Sequence, residues 1–163
     1  MRYSDLQIVF QEIPNEISLA IHVTGCPLKC AGCHSSIYWN PHIGQDLTID
    51  HLCELLHRYE KYITCVLFLG GEWDTDYLLK LLNTVSGKSL KTALYTGLEI
   101  KDISPALMTN LNYLKYGPYK KNLGGLSSPT TNQKIINVKS GENLNNYFIK
   151  EENNYDSSQS RTS

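Results

Sequence analysis

The sequence lacks several features that would place it in a specialised class of protein. No uninterrupted apolar run approaches the length of a membrane span, and the first ten residues contain neither a continuous apolar core nor a small-residue cleavage site. The formal net charge is only −1, which argues against a large electrostatic footprint for nucleic acid or an anionic membrane. There is no internal repeat, and 163 residues provide for one domain with a sizeable core. We therefore expect one globular domain without a nucleic-acid or membrane partner.

Cysteine is sparse, but three of the five cysteines lie together. Cys26, Cys30 and Cys33 occupy eight residues in a C-x3-C-x2-C array. Three thiols cannot all pair in disulfides, and thiolates in such an array suit iron–sulfur clusters or zinc better than magnesium or calcium. Three ligands also leave one metal position open, whereas a closed structural site needs a fourth protein ligand. Because clustered free thiols favour a reducing compartment, we expect a cytoplasmic protein.

At these residues the chain resembles the radical S-adenosylmethionine (SAM) superfamily. The resemblance implies that Cys26, Cys30 and Cys33 hold three irons of a 4Fe-4S cluster and that the fourth iron binds SAM. Many members have an aromatic residue just before the third cysteine, where this chain has Gly32, and we expect His34 to take that covering role. Gly32 and His34 are therefore candidate cofactor contacts. The alternative for the loop alone is a zinc site or a chance cluster of core thiols.

Apolar patterning predicts that strands and helices alternate around this loop. We expect strands at residues 6–10, 17–23, 63–69, 90–96 and 113–116, and helices at residues 48–62, 75–86 and 104–110. The cysteine loop follows the second strand, at the end where α/β folds place their active sites. Residues 36–47 are expected to wrap the loop, with Trp39 packed over it. We expect His22 not to be a ligand, and Cys53 and Cys65 to be small core side chains.

A second informative segment, Gly70-Gly71-Glu72, follows the strand at residues 63–69. Two glycines allow a tight turn and a close approach to a ligand, and the carboxylate can meet a cation. In the superfamily that the chain resembles, a G-G-E at this place contacts the SAM ammonium group. The resemblance also places Thr96, at the end of the next strand, near SAM. The alternative for each segment is an ordinary strand end.

A third segment narrows the resemblance to one family. Residues 115–138 contain G-P-Y from Gly117 and T-N-Q at Thr131-Asn132-Gln133, followed by an apolar strand. Composition alone indicates a loop between two strands. The pattern is similar to the C-terminal part of the anaerobic ribonucleoside-triphosphate reductase activating proteins, which are glycyl-radical activases. Thr131, Asn132 and Gln133 either shape the SAM pocket or hold the loop.

The resemblance implies a radical SAM oxidoreductase. A reduced flavodoxin or ferredoxin would supply an electron, SAM would break at its S–C5′ bond, and the 5′-deoxyadenosyl radical would take hydrogen from a glycine of the reductase large subunit. The cofactors supply this chemistry, so we nominate no catalytic side chain. The alternatives are a radical SAM enzyme acting on a small molecule of the deazapurine type, one activating another glycyl-radical enzyme, and a non-enzymatic zinc-binding module.

The alternation of strands and helices predicts an α/β fold with a parallel sheet and right-handed crossovers. A closed eight-stranded barrel takes about 250 residues. We therefore expect an open, partial (βα) barrel of the radical SAM type over residues 1–139, whose open side admits a loop of another protein. Residues 140–163 are polar, and we expect a disordered tail without catalytic function.

Overall fold

The computed structural model describes residues 1–149, which form one mixed sheet of seven strands and three α-helices. The strands are β1 (Arg2–Val9), β2 (Ser18–Val23), β3 (Gln45–Asp46), β4 (Cys65–Leu69), β5 (Lys91–Tyr95), β6 (Tyr113–Tyr116) and β7 (Lys134–Asn137). Their order across the sheet is β3-β1-β2-β4-β5-β6-β7. The strands β2, β4, β5 and β6 pair in parallel, whereas β1, β3 and β7 are antiparallel to their neighbours. The predicted α/β class with a parallel centre is confirmed.

The helices α1 (Ile49–Tyr59), α2 (Thr75–Ser86) and α3 (Pro105–Thr109) connect the parallel strands. Local sequence explains where they begin. The Thr48 hydroxyl accepts a hydrogen bond from the amide of His51, and the Asp74 carboxylate accepts one from the amide of Tyr77. Within the described part of the chain, no helix combines the length and the apolar character that crossing a membrane requires.

All three helices pack on one face of the sheet. Because β2, β4, β5 and β6 follow one another in a single direction across the sheet, right-handed crossovers bring each connecting helix to the same side. The strands contribute alternate residues to this core, and α1 and α2 contribute leucines at helical spacing. The fully buried residues include Leu19, Ile21, Val66, Phe68, Leu94, Leu114, Leu52, Leu56, Leu78, Leu81 and Leu82.

The opposite face of the sheet is covered by loop residues. Its core includes Ile13, Ala20, Leu67, Ala93 and Leu144. Cys65 is also buried on this face, as predicted, and burial raises the pKa of its thiol to about 12. The prediction for Cys53 is wrong, because this side chain is exposed. Successive residues of an α-helix are rotated by about 100° around the helix axis. Cys53 directly follows buried Leu52 in α1 and therefore lies outside the apolar stripe of the helix.

Residues 140–149, which composition placed in a polar tail, make ordered contacts with the sheet. Leu144 is buried, and Asn143 forms an antiparallel bridge with Ile136. The side chain of Asn145 accepts a hydrogen bond from the amide of Ile135 and donates one to the carbonyl of Gln133. One apolar side chain and one amide thus attach this segment to β7. Residues 150–163, the rest of the expected tail, lie outside the described residues.

Candidate cofactor site

A cavity lies where the parallel strands end. Residues after β2, after β4 and after β5 contribute to its wall, together with β6 and the loop that follows it. Convergence at this edge is expected, because parallel strands bring all their carboxyl ends to the same side of the sheet. The lining residues considered below include Cys26, Cys30, Cys33, Gly70, Glu72, Thr96, Gly97 and Lys115.

The cysteine loop brings its three thiols to the wall of this cavity. Each of them is half-buried and free of any disulfide. The amides of Gly25 and Cys26 both donate to the carbonyl of Tyr38, at N–O distances of 2.8 and 3.3 Å, so the chain folds back over the first cysteine. The amide of Cys33 donates to the carbonyl of Cys30 at 3.1 Å, which closes a tight turn between the other two. The predicted grouping of the three cysteines on one loop agrees with this geometry.

The donor set fits an iron–sulfur cluster. Within residues 1–149, no three His, Cys, Asp or Glu side chains are arranged to hold one metal ion. Cysteines that bind separate irons of a cluster need to surround a common space, and the three thiols do so. Burial raises the pKa of the Cys26 thiol. The amide of Ser35 donates to Cys33 Sγ at 3.4 Å.

The end of β5 lies directly against the cysteine loop. A Cβ atom at Gly97 would lie 2.8 Å from Cδ1 of Leu28 and 3.9 Å from Sγ of Cys30. A glycine at this position therefore allows the strand end and the loop to approach each other closely. Gly97 lines the cavity, next to Thr96 in the segment that the resemblance placed near SAM.

The turn after β4 directs Glu72 into the cavity. Gly70 has a φ of +91°, and a Cβ there would lie 2.8 Å from the ring of Trp73, so the turn requires glycine. Gly71 packs against the side chain of Met1 and is not part of the cavity wall. A short 3-10 helix, Glu72–Asp74, begins after these glycines and carries the buried Glu72 side chain.

Glu72 is a buried carboxyl group with one free oxygen. The hydroxyl of Thr96 donates a hydrogen bond of 2.6 Å to Oε1, whereas Oε2 is buried and has no hydrogen-bond partner among the described residues. Burial raises the pKa of this carboxyl group, although the bond from Thr96 opposes the shift. A buried acceptor without a donor is costly, so this oxygen fits a site that a ligand cation completes.

Lys115 supplies a positive charge inside the cavity. It follows apolar Leu114 near the end of β6, and burial lowers the pKa of its ammonium group to about 8. The thiols of Cys30 and Cys33 and the carboxyl group of Glu72 act in the opposite direction. Lys115 was not among the predicted site residues. A lone charged residue at the carboxyl end of a parallel strand was the overlooked signal.

Of the nine residues predicted to form the site, six line the cavity and three do not. The six are Cys26, Cys30, Cys33, Gly70, Glu72 and Thr96, and the three are Gly32, His34 and Gly71. His34 is exposed and does not line the cavity, although its ring centroid lies 5.4 Å from that of the wall residue Tyr119. Gly32 lies beneath the side chain of Lys121.

The cavity also contains His22, which the sequence analysis set aside. Its ring centroid lies 4.8 Å from that of Tyr38, its Nδ1 is buried without a partner among residues 1–149, and burial lowers its pKa. Trp39 lines the cavity as well, in agreement with its predicted position over the loop. Strand alternation describes only the faces of one sheet. Alternation therefore could not predict that Tyr38, in a separate segment, packs its ring against that of His22.

The T-N-Q segment holds the loop after β6. Asn132 donates to the carbonyl of Pro118 at 2.9 Å, and buried Gln133 donates to that of Gly117 at 3.2 Å. Gln133 also lines the cavity. This residue therefore both holds the loop and forms part of the cavity wall.

These features define a class of protein in which one end of a parallel sheet carries a three-thiol cofactor site. The 4Fe-4S single cluster domain family matches residues 17–146 of the chain. An anaerobic ribonucleoside-triphosphate reductase-activating protein of Enterobacteria phage T4 is 30% identical over 118 residues, which cover 64% of this chain and 72% of that protein. A pyruvate formate-lyase-activating enzyme of Clostridium pasteurianum is 30% identical over 86 residues, covering 49% of this chain and 36% of the enzyme.

The chain belongs to the 4Fe-4S single cluster domain family, and its relatives are activating enzymes of glycyl-radical enzymes. The predicted family resemblance is confirmed. The matched region contains the cysteine loop, the G-G-E turn and the T-N-Q segment.

Proposed function

We propose that this chain is a radical SAM activase that generates a glycyl radical on an anaerobic ribonucleoside-triphosphate reductase. The observation that carries the proposal is the cavity itself, whose wall contains three cysteines together with Glu72, a buried carboxyl group with an unpartnered Oε2. The first requirement of such an enzyme is a cluster site with an open position. Cys26, Cys30 and Cys33 would hold the cluster, and three protein ligands leave one metal position for SAM.

The second requirement is a polar site for SAM beside the cluster. Oε2 of Glu72 would accept a hydrogen bond from the SAM ammonium group, while the bond from Thr96 fixes the other oxygen. The glycine at position 70 keeps the turn narrow enough for this approach. Lys115 would balance the negative charge that thiolates and a carboxylate bring into the cavity.

When bound, the reduced cluster and SAM supply the one-electron cleavage of SAM and the hydrogen abstraction that yields the glycyl radical. The protein's own part is to bind, to orient and to exclude water. Trp39 and Tyr38 form part of the cavity wall on the side of the cysteine loop. Tyr95 lines the same cavity, and its hydroxyl donates to the carbonyl of Glu12, which fixes the ring in place.

The topology supports an open, partial (βα) barrel that accepts a protein substrate. The three helices lie on one face of the sheet, as they do in single-wound barrels, and β3 and β7 are its edges in the described part of the chain. An open edge gives a glycine loop of the reductase large subunit a route to the cavity. All five cysteines are free, which supports a reducing, cytoplasmic location.

The name of the relative from Clostridium pasteurianum favours a second candidate target, pyruvate formate-lyase. We prefer the reductase because the match to the activating protein from phage T4 covers 72% of that protein, compared with 36% for the clostridial enzyme. A small-molecule substrate and a zinc-binding module remain to be tested by the same experiment.

The experiment is anaerobic reconstitution with iron and sulfide, followed by reduction with dithionite, addition of SAM and measurement of 5′-deoxyadenosine. We expect product with the wild type, no product with Cys30→Ala, and wild-type product with Cys53→Ala, because Cys53 is exposed and remote from the cavity. A glycyl-radical signal with the reductase, and none with pyruvate formate-lyase, identifies the target. Tight binding of one zinc ion without cluster assembly would overturn the proposal.

A further inference from the structure

One row of side chains crosses four neighbouring strands at the cavity. His22 pairs with Leu69, Leu69 with Tyr95 and Tyr95 with Lys115. Paired residues of adjacent strands point to the same face of a sheet, and all four of these residues line the cavity. The row is apolar or aromatic until its last member, a lysine, at the β6 end. The register of the parallel strands therefore brings one positive charge to the cofactor site.

Lys115 is attached to the segment that contacts the cysteine loop. Its carbonyl accepts a hydrogen bond of 2.8 Å from the amide of Thr96. The next residue, Gly97, is the one at which a Cβ atom would lie 3.9 Å from Sγ of Cys30. The ammonium group of Lys115 lies 5.8 Å from the ring centroid of Tyr95, which is within the range of a cation–π contact. The end of β5 thus brings Lys115 and the thiol of Cys30 into the same part of the cavity wall.

The charge of Lys115 has no ion-pair partner in the part of the chain that the structure describes. None of the ion pairs within residues 1–149 includes it, although Glu72 lines the same cavity. Burial is the main influence on the pKa of Lys115 and lowers it. Among the charges that oppose burial, the thiols of Cys30 and Cys33 contribute more than Glu72. A partly buried ammonium group in these surroundings fits a negatively charged group bound beside the thiols.

We propose that the ammonium group of Lys115 raises the reduction potential of the cluster that Cys26, Cys30 and Cys33 hold. This inference rests on the proposed function, because it assumes that these thiols bind a redox cluster. Three thiolate ligands bring negative charge to the site, and the charge becomes more negative by one when an electron enters. A fixed positive charge stabilises the more negative state more strongly, so Lys115 favours the reduced form. One electron passes from a one-electron reductant to the cluster, no proton moves, and no bond forms or breaks.

The carboxylate group of SAM is a second anion that this ammonium group can meet. The neighbours of Lys115 favour the cluster, because the end of β5 connects Lys115 to Cys30. Glu72, which we propose binds the amino group of SAM, acts on Lys115 more weakly than the thiols do. The two roles predict different measurements. An effect on the cluster is present before SAM is added, whereas an ion pair with SAM changes only the SAM affinity.

The test is a redox titration of the cluster-loaded full chain without SAM, comparing wild type with Lys115→Met. The matched control is Lys134→Met, which removes one positive charge at an exposed position of β7, outside the cavity wall. The electron paramagnetic resonance signal of the reduced cluster gives the reduced fraction at each potential. At the wild-type midpoint we expect the ratio of reduced to oxidised cluster to fall about tenfold in Lys115→Met, which is a midpoint about 59 mV more negative. The ratio should stay within about twofold of wild type in Lys134→Met and in Lys115→Arg, which keeps the charge.

Two further measurements separate this role from the alternative and from the proposed function. Calorimetric titration of the oxidised, cluster-loaded Lys115→Met should give a SAM affinity within about threefold of wild type. Equal midpoints in Lys115→Met and Lys134→Met overturn the inference, and a fall in SAM affinity with an unchanged midpoint assigns Lys115 to SAM instead. Wild-type protein that holds the cluster but never cleaves SAM with dithionite contradicts the proposed function alone, because the midpoint is measured without cleavage. If Lys115→Met assembles no cluster, Lys115→Gln provides the same comparison with the same expected shift.

Discussion

Two buried glutamates lie at opposite ends of the same parallel strands, and their surroundings differ. Glu16 precedes β2 and receives hydrogen bonds from Thr64, Tyr113 and Lys91. Burial alone would raise its pKa, but these bonds outweigh burial and lower it. Glu72 follows β4, receives one side-chain bond, from Thr96, and has a pKa that burial raises.

The difference separates a stabilising end of the sheet from a binding end. At the amino-terminal edge both carboxylate oxygens of Glu16 receive hydrogen bonds from side chains of the protein, as the buried position demands. At the carboxyl-terminal edge the protein leaves Oε2 of Glu72 unpaired, and segments after four different strands form the wall. Such an arrangement decreases stability and provides a partner for a ligand cation.

Removing the charge of Glu72 should produce the largest effect on activity. For Glu72→Gln we expect about a 100-fold loss in SAM cleavage, corresponding to ~2.7 kcal/mol, because a charge-assisted hydrogen bond to the ligand is lost. The free energy of unfolding of the cluster-free protein should not fall, since an unpaired buried carboxylate is removed. Product analysis and urea denaturation measure the two quantities. A variant that unfolds more easily and retains activity would reverse the assignment of the two ends.

Removing the charge of Glu16 should have the opposite pattern. For Glu16→Gln we expect the free energy of unfolding to fall by about 2 kcal/mol, because Lys91 loses its buried partner while remaining half-exposed. SAM cleavage per folded, cluster-loaded molecule should be unchanged. Urea denaturation measures the loss, and Glu12→Gln, a partly exposed neighbour, serves as the control. A loss below about 0.5 kcal/mol would contradict a stabilising role for this end.

Acid should affect the two glutamates in opposite directions. The pKa of Glu16 is lowered from its ordinary value of 4.5, so its contribution to stability is present above pH 4.5 and is lost as the pH falls through the folded-state value. The pKa of Glu72 is raised, so protonation below that raised value favours the folded state. In urea titrations of the cluster-free protein, Glu16→Gln should therefore flatten the loss of stability below pH 4.5. Glu72→Gln should remove the gain in stability that the wild type shows when acidification above pH 4.5 protonates Glu72. Identical curves for the two variants would contradict the difference between the two ends of the sheet.

The smallest effects should come from the two threonines that bind these carboxylates. Thr64→Val removes one bond to Glu16 and should lower the free energy of unfolding by about 1 kcal/mol without a change in SAM binding. Thr96→Val removes the bond to Glu72 and should weaken SAM binding by about fivefold, because the carboxylate loses its orientation. Calorimetric SAM titration and urea denaturation compare them directly. Equal loss of SAM affinity in both variants would argue against a division between the ends.

Regular elements and the three cysteines were predictable from the sequence because local patterns determine them. Leucine spacing located α1 and α2, and apolar runs located the parallel strands to within about two residues. The edge strand β3 was not predicted, since Gln45–Asp46 has no apolar pattern and pairs only because β1 lies beside it. The start of β1 was missed for a similar reason. Tyr3 is buried there through hydrogen bonds with His51 and Gln45, which are distant in the sequence.

The site was predictable only where one segment carries its own signal. The cysteine array and the G-G-E turn each combine spacing with residue type, so their positions on the cavity wall could be anticipated. His22 carries no such signal, and Lys115 carries only the weak one of a lone charge at a strand end, because their place in the site arises from other segments of the chain. His34 shows the converse. Its sequence position beside Cys33 suggested a cofactor contact, which stays a prediction, because its exposed side chain packs against the wall residue Tyr119 without lining the cavity itself.

The exposed position of Cys53 has a practical consequence for studying complexes of this protein. With the cluster in place, Cys26, Cys30 and Cys33 would be bound to iron, and Cys65 is buried in the sheet. A maleimide probe added to the loaded protein would therefore react at one thiol, on the solvent side of α1. A spin label or fluorophore attached there would report distances to a partner molecule without a single introduced mutation.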